Sequence, residues 1–539
     1  MTAAPGRGAR ATLDEAVEAV LGAGTRLRDV QEDALAHLAE SDTLLVARSG
    51  AGKTAVYAIA TLMSGRLTVV VSPLLALQRD QVDALTAAGL RATSVSSARS
   101  TRQQREALAA AEEGRVDVLL LAPEQLVRPE VVDALARADV GLVVVDEAHC
   151  VSEWGHDFRP DYAAVARVLP RLGRPRLLAL TATASPRVRD EIVERLGMTR
   201  PRVLVRDADR PNIWLGVRHA ASASDRDALV VRTTLDEPGP TLVYGRTHKH
   251  VEALAAALSD EGRAADVYHA GLPARERAAV QDAFLSGRSD LLVATSAFGM
   301  GVDRADVRLV VHAGLPPSLD SYYQEVGRAG RDEEPARALA VAHAGDVALN
   351  RFLGTASGPS RATVRTVLAA VGDGPVPRHD VVSATGLGGR TVSRALNALV
   401  DVGALRSDDD GYRSTGAGEA KAMAALRERR DRLQTLDRSR AELVQTYADT
   451  TDCRRRMLLE LLGESHPDRC GACDSCEAGT SVDVVDVPLA GGQSVRHTAW
   501  GVGVVSAVEA DRVVVLFEDK GYVTLDTAVA LDSGLLVPL

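Results

Sequence analysis

The sequence is poor in aromatic residues, in cysteines and in uninterrupted apolar runs. Its 539 residues include three Trp, nine Tyr, five Phe and five Cys. No apolar run reaches the roughly 20 residues that span a bilayer. Acidic side chains interrupt the first 25 residues, where a signal peptide would be apolar. We therefore expect no membrane segment, residence in the cytoplasm, and three or four domains at about 150 residues each.

An excess of positive charge is also lacking, because the formal net charge is -10. Such a chain has no general affinity for polyanions. Any contact with nucleic acid has to come from local grooves.

A phosphate-binding loop is predicted near the N-terminus. An apolar strand over 44–47 leads into a glycine-containing loop and then a helix-compatible stretch over 55–62. In such a loop, glycine backbone N–H groups face a phosphate, a Lys neutralises its oxygens and a hydroxyl reaches Mg²⁺. An accidental glycine turn is the alternative, because Ala47 stands where the full pattern begins with Gly. The predicted nucleotide-binding residues are Ser49, Gly50, Ala51, Gly52, Lys53 and Thr54.

Two adjacent carboxylates follow a second apolar strand, over 141–145. Open α/β sheets bind ligands at the carboxyl ends of their strands. We expect Asp146 to hold Mg²⁺ together with Thr54, and Glu147 to deprotonate the water that attacks the γ-phosphate. A solvated acidic turn is the alternative. Strands that end near Ser72 and Thr181 give the same sheet edge a polar rim.

Three of the few aromatic residues, Trp154, Phe158 and Tyr162, fall within nine positions just after these carboxylates. The intervening Gly, His, Asp, Arg and Pro favour a bent, partly exposed segment. Such a loop can stack on bases, whereas a small packing cluster beneath a turn is the other interpretation.

The alternation of strands and helices begins again after Asn212, without a second phosphate loop. Arg328 and Arg331 lie three residues apart on a predicted helix, and so on one side of it. Facing the nucleotide of the first lobe, they could stabilise charge on the transferred phosphoryl group. A surface helix with salt bridges is the alternative.

Taken in order, SGAGKT, DEAHCVSEWGHDFRPDY, TATA, ATSAFGMGVD and SYYQEVGRAGRD resemble the motifs of the RecQ family of superfamily 2 DNA helicases. The resemblance runs from about Arg28 to Cys476, apart from one inserted segment. It implies an α/β fold of two RecA-like parallel-sheet lobes with ATP between them. It also implies that the 152–162 loop couples engagement of single-stranded DNA to ATP hydrolysis, with Trp154, Phe158 and Arg159 central.

The same resemblance assigns further residues. Arg28 and Gln31 match an adenine-reading motif, but Gly24 replaces the aromatic residue that usually stacks on adenine. Selectivity for ATP is therefore expected to be weaker. The other residues assigned in this way are Asp303 for the nucleotide, and Ser72, Pro73, His149, His156 and Thr295 for DNA binding and coupling.

Four of the five cysteines, Cys453, Cys470, Cys473 and Cys476, have the spacing of a metal site. Four thiolates satisfy tetrahedral Zn²⁺. An iron–sulfur cluster is the alternative, and the resemblance favours zinc. Cys150 reads as an ordinary core residue.

The inserted segment, about 360–420, has the pattern of a winged helix. Helices are predicted over 362–371, 377–385 and 390–402, followed by a β wing over 404–412. The third helix is expected to expose Arg390, Thr391, Arg394 and Asn397 to DNA, whereas the acidic residues at 408–410 argue against a wing that grips the backbone. Duplex binding and a structural or protein-binding role both stay open. In familiar RecQ proteins the winged helix follows the zinc site.

The C-terminal segment VRHTAWGVG is similar to the Tudor-like domain of UvrD and PcrA helicases. A small SH3/Tudor-like barrel is predicted, with a protein partner, for which RNA polymerase is one candidate. A plain β cap is the alternative.

The sequence thus predicts a monomeric, ATP- and Mg²⁺-dependent 3′ to 5′ DNA helicase that acts on single-stranded and forked duplex DNA in repair or recombination. A translocase or branch remodeller with little unwinding, and an ATP-switched DNA-bound adaptor, are the alternatives. The motor motifs do not exclude RNA. The expected domains are two lobes over 1–207 and 208–355, the winged helix over 360–420, the zinc module over 421–480 and the barrel over 489–539.

Overall fold

The computed structural model describes most of the chain. The described residues are 11–48, 50–73, 75–96, 99–154, 158–206, 208–299, 304–353, 358–408, 410–464, 469–482, 488–509 and 511–539. Three predicted site residues, Ser49, His156 and Asp303, lie outside them.

The first lobe is a seven-stranded parallel sheet with helices on both faces. Its central strands are continuous Val and Leu runs, as expected for parallel strands buried on both sides. The strand order is β3-β4-β2-β5-β6-β1-β7. The strands are β1 (Thr43–Ala47), β2 (Leu67–Val71), β3 (Ala92–Val95), β4 (Val118–Leu121), β5 (Val140–Val145), β6 (Arg176–Thr181) and β7 (Arg202–Arg206). The helices are α1 (Leu13–Leu21), α2 (Asp29–Glu40), α3 (Lys53–Ser64), α4 (Leu75–Ala87), α5 (Thr101–Glu112), α6 (Pro129–Arg137), α7 (Ala163–Val168) and α8 (Pro186–Arg195).

The second lobe repeats this architecture with six parallel strands in the order β10-β11-β9-β12-β13-β8. The strands are β8 (Ile213–Ala220), β9 (Thr241–Tyr244), β10 (Asp266–Tyr268), β11 (Leu291–Ala294), β12 (Leu309–Ala313) and β13 (Ala336–His343). The helices are α9 (Ala223–Leu235), α10 (His248–Asp260), α11 (Ala274–Leu285), α12 (Leu319–Val326) and α13 (Asp346–Leu353). The predicted pair of parallel-sheet lobes is confirmed.

The inserted segment forms three helices and an antiparallel hairpin around its own core of Val, Ala and Leu side chains. The predicted helices and wing agree with it within about two residues. The elements are α14 (Arg361–Val371), α15 (Arg378–Thr385), α16 (Gly389–Asp401), β14 (Leu405–Asp408) and β15 (Gly411–Ser414).

A 31-residue helix, α17 (Glu419–Asp449), leads from this segment to the cysteines. At 1.5 Å per residue it is about 46 Å long. Two shorter helices, α18 (Arg454–Leu461) and α19 (Asp474–Glu477), complete the module. Its side chains Leu443, Tyr447 and Met457 share one hydrophobic core with the second lobe.

The C-terminal region is an antiparallel sheet in the order β19-β18-β17-β16-β20. Gly521 lies against Ser439 and Leu436 of α17, so the sheet docks on that helix. The elements are β16 (Ser494–His497), β17 (Gly501–Val508), β18 (Arg512–Phe517), β19 (Gly521–Asp526), α20 (Thr527–Asp532) and β20 (Leu536–Pro538). The Tudor-like identity of this sheet stays a prediction.

Among the described residues, no helix combines the length and the apolar character needed to cross a bilayer.

Candidate nucleotide and nucleic-acid site

The phosphate loop joins the buried strand β1 to helix α3. Gly50 and Gly52 have φ of +85° and +77°, a region that favours glycine, and Gly52 caps the start of α3. The ammonium of Lys53 donates to the carbonyls of Ala47 at 2.6 Å and Arg48 at 3.1 Å. Backbone and Lys side chain are therefore arranged around the space in front of α3, where an anion is favoured.

The adenine-reading residues contact this loop directly. Gln31 Nε2 donates to the Gly52 carbonyl at 3.2 Å, and the Arg28 guanidinium donates to the Gly50 carbonyl at 2.9 Å. A Cβ on Gly52 would lie 2.3 Å from Gln31 Nε2. Gly24, at the position of the missing aromatic residue, is exposed. The motif thus touches the loop with its polar side chains but offers no stacking ring at that position.

Asp146 and Glu147 follow β5 at the carboxyl edge of the sheet. Asp146 is buried, and its carboxylate accepts from Gln81 Nε2 at 2.8 Å. Burial raises the pKa of Asp146. The hydrogen bond from Gln81 and the charge of Lys53 lower it, but burial outweighs them. Burial likewise lowers the pKa of Lys53, against the charges of Glu147 and Asp146. Opposite charges thus meet in a desolvated site.

The predicted arginine pair lies on the second lobe, but the predicted helix is wrong there. Helix α12 ends at Val326, because Gly327 caps it, and Gly330 has φ of +53°. Arg328 and Arg331 therefore occupy turns; Arg328 is buried and Arg331 is half-buried. The charge of Arg331 acts on Lys53 across the cleft and lowers its pKa further.

A chain of polar contacts that the sequence did not predict runs from Glu147 to the second lobe. His149 Nδ1 lies 3.4 Å from a Glu147 carboxylate oxygen and 3.0 Å from the Thr181 hydroxyl. Thr181 donates to the Thr183 carbonyl at 3.0 Å, and Gln324 Nε2 donates to the Thr183 hydroxyl at 3.3 Å. The two threonines of the TATA motif at the end of β6 were the feature of the sequence that could have indicated these contacts.

The aromatic segment divides into a core residue and two half-buried ones. Tyr162 is fully buried and donates to the Asp146 carbonyl at 2.9 Å, so it belongs to the packing interpretation. Trp154 packs against the lobe core beneath Arg187, whose guanidinium carbon is 5.7 Å from the ring centroid. Arg159 donates to the Pro73 carbonyl at 2.9 Å. The loop is therefore joined both to the carboxylates and to the exit of β2.

The remaining predicted DNA residues lie on separate surfaces. Ser72 and Thr295 are buried where β2 and β11 end. Arg390 and Arg394 are exposed on α16 of the winged helix, a different module from those that carry Ser72 and Thr295. The prediction that Asn397 is exposed is wrong, because it is half-buried and donates to Asp161 Oδ1 of the first lobe at 3.1 Å.

The four cysteines come together at the edge of the second lobe. All four Sγ atoms lie within 4.8 Å of one another, and those of Cys470 and Cys476 are 3.9 Å apart. Tetrahedral zinc with Zn–S bonds of about 2.3 Å needs sulfur atoms roughly 3.8 Å apart, so the donor set fits the ion. The zinc loop also joins β8, since Leu215 N donates to the Ala472 carbonyl at 3.2 Å.

Family models cover the main parts of the chain. The DEAD/DEAH box helicase model matches 28–192, the helicase conserved C-terminal domain model matches 226–333 and the RecQ zinc-binding model matches 418–477. A family described as a protein of unknown function matches 489–532.

Several curated proteins are similar in sequence. The probable ATP-dependent DNA helicase RecS of Bacillus subtilis is 37% identical over 313 residues, 58% of this chain and 63% of that protein. The ATP-dependent DNA helicase RecQ of Bacillus subtilis is 31% identical over 457 residues, 84% of this chain and 64% of that protein. RecQ of Pasteurella multocida is 35% identical over 365 residues, with coverages of 67% and 57%. The chain thus spans about three fifths of the length of these relatives.

Solved structures support the fold. The Mycobacterium smegmatis helicase Lhr bound to ssDNA and AMP-PNP aligns with a TM-score of 0.53 at 22% identity, covering 80% of this chain and 62% of that one. Yeast Dbp5 bound to RNA and ADP BeF3 aligns with a TM-score of 0.51 at 18% identity, covering 63% of this chain and 90% of that one.

Proposed function

Since the chain belongs to the RecQ family of superfamily 2 helicases, we propose that it is an ATP-dependent DNA helicase that moves 3′ to 5′ on one strand. Its products would be separated strands, formed in DNA repair or recombination. Single-stranded and forked duplex DNA are the proposed substrates.

One observation carries the proposal. Lys53 lies within electrostatic reach of Asp146 and Glu147 on its own lobe and of Arg331 on the other. A triphosphate in front of α3 would meet cations from both lobes, and Glu147 would face the attacking water. Hydrolysis then depends on closure of the cleft, which is how a motor links ATP to movement.

We assign Mg²⁺ to Thr54 and Asp146, where it would neutralise phosphate charge and polarise the γ-phosphate. The charge of Asp146 acts on buried Tyr57, three residues after Thr54 on α3, and α3 packs against β5, which leads into Asp146. Arg328 and Arg331 would stabilise charge on the transferred group. Glu147 would accept the proton of the water, with His149 orienting its carboxylate.

Single-stranded DNA is proposed to cross the ends of β2 and β11 at Ser72, Pro73 and Thr295, and to engage the loop through Trp154, Phe158 and Arg159. Arg390 and Arg394 on α16 would contact duplex phosphates. We keep the predicted domain bounds, a monomeric state and action in the cytoplasm as part of the proposal. A protein partner, such as RNA polymerase, would bind the C-terminal sheet.

The decisive experiment is an ATPase titration with single-stranded DNA and RNA of equal length and sequence, followed by strand displacement on a forked duplex. We expect stimulation by DNA, at most weak stimulation by RNA, and displacement that requires ATP and a 3′ tail. Stimulation without displacement would replace the helicase with a translocase. Tight DNA binding with negligible turnover would replace it with an adaptor.

Changing Glu147 to Gln tests the proposed base directly, with a side chain of nearly the same shape. The amide keeps the shape of the side chain but cannot accept the proton. Turnover should fall by about 10² to 10⁴, while ATP and DNA binding persist. Hydrolysis at the wild-type rate would remove Glu147 from the role of base.

A further inference from the structure

A cluster of charged side chains joins the aromatic loop, the winged helix and α17. At its centre, Arg429 of α17 donates to Glu153 Oε1 of the loop at 3.0 Å, and lies 3.0 Å from Asp401 Oδ2 at the end of α16. Arg429 and Glu153 are 276 positions apart in the sequence. Both contacts join α17 to another module, the first lobe in one case and the winged helix in the other. Arg429 is therefore the point at which three parts of the protein meet.

Two carboxylates share this one guanidinium. The side chains of Arg429, Glu153 and Asp401 are 15%, 12% and 19% exposed, so water screens them little. Burial opposes the charge on Glu153, but Arg429 and Arg195 outweigh it and lower its pKa. Burial raises the pKa of Asp401, Arg429 opposes this, and the charge of Glu153 raises the pKa further. Without Arg429, Glu153 would keep Arg195 at 3.0 Å and Arg432 at 3.7 Å. Asp401 would lose its ion pair with Arg429 and would still face the like charge of Glu153.

The same guanidinium covers the ring of Phe158. The central carbon of Arg429 lies 5.7 Å from the ring centroid, and that of Arg195 lies 5.3 Å from it. Arg195 is itself fixed by Glu153 at 3.0 Å and Glu191 at 2.7 Å. A base that stacks on a ring needs one of its faces, so a base on the face of Phe158 that Arg429 or Arg195 covers has to compete with that guanidinium.

The winged helix adds a second contact to the same segment. Asn397, one turn before Asp401 on α16, donates to Asp161 Oδ1 at 3.1 Å. The C-terminal half of α16 thus faces the aromatic segment, whereas Arg390 and Arg394 at its N-terminal half are exposed. One face of the winged helix is docked on the loop while another stays open to solvent.

We propose that Arg429 is a positioning residue that holds the aromatic loop in a DNA-free arrangement, with Phe158 covered, and that the winged helix shares this hold through Asp401. The proposal rests on the proposed function for its consequence, because single-stranded DNA must displace Arg429 from Phe158 before the loop can engage a base. Release of the winged helix would weaken the hold and prepare the loop for DNA.

The hold itself is tested by hydrogen exchange in the full-length protein without DNA. Arg429→Ala should speed exchange in the peptides over 152–162 and 389–401. Asp401→Asn should do so mainly over 389–401, because Glu153 still pairs with Arg429. Arg427→Ala, an exposed arginine on the same helix, is the matched control and should change neither segment. Unchanged exchange in both segments of Arg429→Ala would overturn the proposal.

The consequence is tested by ATPase titration with oligo-dT. Arg429→Ala should lower the DNA concentration for half-maximal stimulation about fivefold, the size expected from one cation–π contact and one partly buried ion pair. Turnover without DNA should rise by no more than the same factor, because loss of the hold also favours closure of the cleft. Arg429→Lys keeps the charge between the carboxylates but not the planar group over the ring, so it should retain slow exchange over 389–401 and shift the titration only partly.

The outcomes separate the proposals. If the wild type shows no stimulation by DNA, the proposed function fails, while the exchange data still decide whether Arg429 holds the loop. If the wild type is stimulated and Arg429→Ala needs as much DNA as the wild type or more, the competition between Arg429 and a base is refuted.

Discussion

The tight contact between Gly52 and Gln31 gives a prediction whose size follows from the geometry. An alanine at position 52 would keep φ near +77°, which costs an L-residue about 1 to 2 kcal/mol. Its Cβ would lie 2.3 Å from Gln31 Nε2, so the amide must move and lose its 3.2 Å bond to the loop carbonyl, worth about 1 kcal/mol. The free loop would relax out of this arrangement and ATP binding would have to restore it. The combined cost of about 2 to 3 kcal/mol would therefore weaken ATP binding by at most about 30- to 150-fold.

The clash between an added Cβ and Gln31 is isolated by repeating Gly52→Ala in a Gln31→Ala background. Without the Gln31 side chain there is no clash and no bond to lose, so only the backbone cost remains. The loss of ATP affinity caused by Gly52→Ala should then be about fivefold smaller, which corresponds to a coupling free energy of about 1 kcal/mol between positions 31 and 52. ATP affinity is measured by equilibrium titration of a fluorescent ATP analogue, with thermal unfolding as a check on folding.

Gly50→Ala is the control for the same loop. Its φ is +85°, but an added Cβ would meet no atom within 4 Å, so its penalty should be the same with and without Gln31. An equal penalty for Gly52→Ala in both backgrounds would refute the proposed clash.

Three further predictions concern other parts of the chain. Trp154→Ala should reduce DNA-stimulated turnover more than ATP affinity, in ATPase titrations of both ligands; lower DNA affinity with full stimulation at saturating DNA would make Trp154 only a stacking platform. Chelation of zinc should speed hydrogen exchange over 469–482 and along β8, which donates a hydrogen bond to the zinc loop; slow exchange there after chelation would contradict a structural role. Burial raises the pKa of Glu460, whose carboxylate accepts from Val508 N at 2.7 Å, to about 7. Docking of the C-terminal sheet should therefore be strongest below pH 4.5 and weaken up to about pH 7, by at most about 3 kcal/mol; thermal unfolding at pH 5 and pH 8 should differ less in Glu460→Gln than in the wild type.

The sequence was most informative where one local pattern determines one local structure. Alternating strands and helices predicted both parallel sheets, and the spacing of Cys453 to Cys476 predicted a cluster that the fold brings together. The helix predicted around Arg328 failed because Gly327 and Gly330 end it, although the three-residue spacing suits a helix.

Contacts between distant segments were not predictable in this way. Tyr162 stands out in the sequence as one of few aromatic residues, but no local pattern predicts that its hydroxyl donates to the Asp146 carbonyl. Arg429 lies in the run RERRDR, which reads as a solvated helix face, and its partners are supplied by the loop and the winged helix. Hydrophobic patterning fixes which side of an element is buried, whereas the pairing of buried polar groups depends on how the modules dock.

The order of the modules gives the contact at Arg429 a consequence for the motor. Helix α17 is fixed at its C-terminal end, where Leu443 and Tyr447 lie in the core of the second lobe. Near its N-terminal end Ala422 lies in the core of the winged helix, and Arg429 contacts the first lobe. Because one helix carries all three contacts, rotation of the lobes around ATP would strain α17, the ion pair with Glu153 or the docking of the winged helix. In the proposed motor, closure of the cleft would therefore act against the hold on Phe158. By linkage, DNA that displaces Arg429 would favour closure by the same free energy. A winged helix that precedes the zinc module would thus take part in the proposed linkage between ATP and DNA.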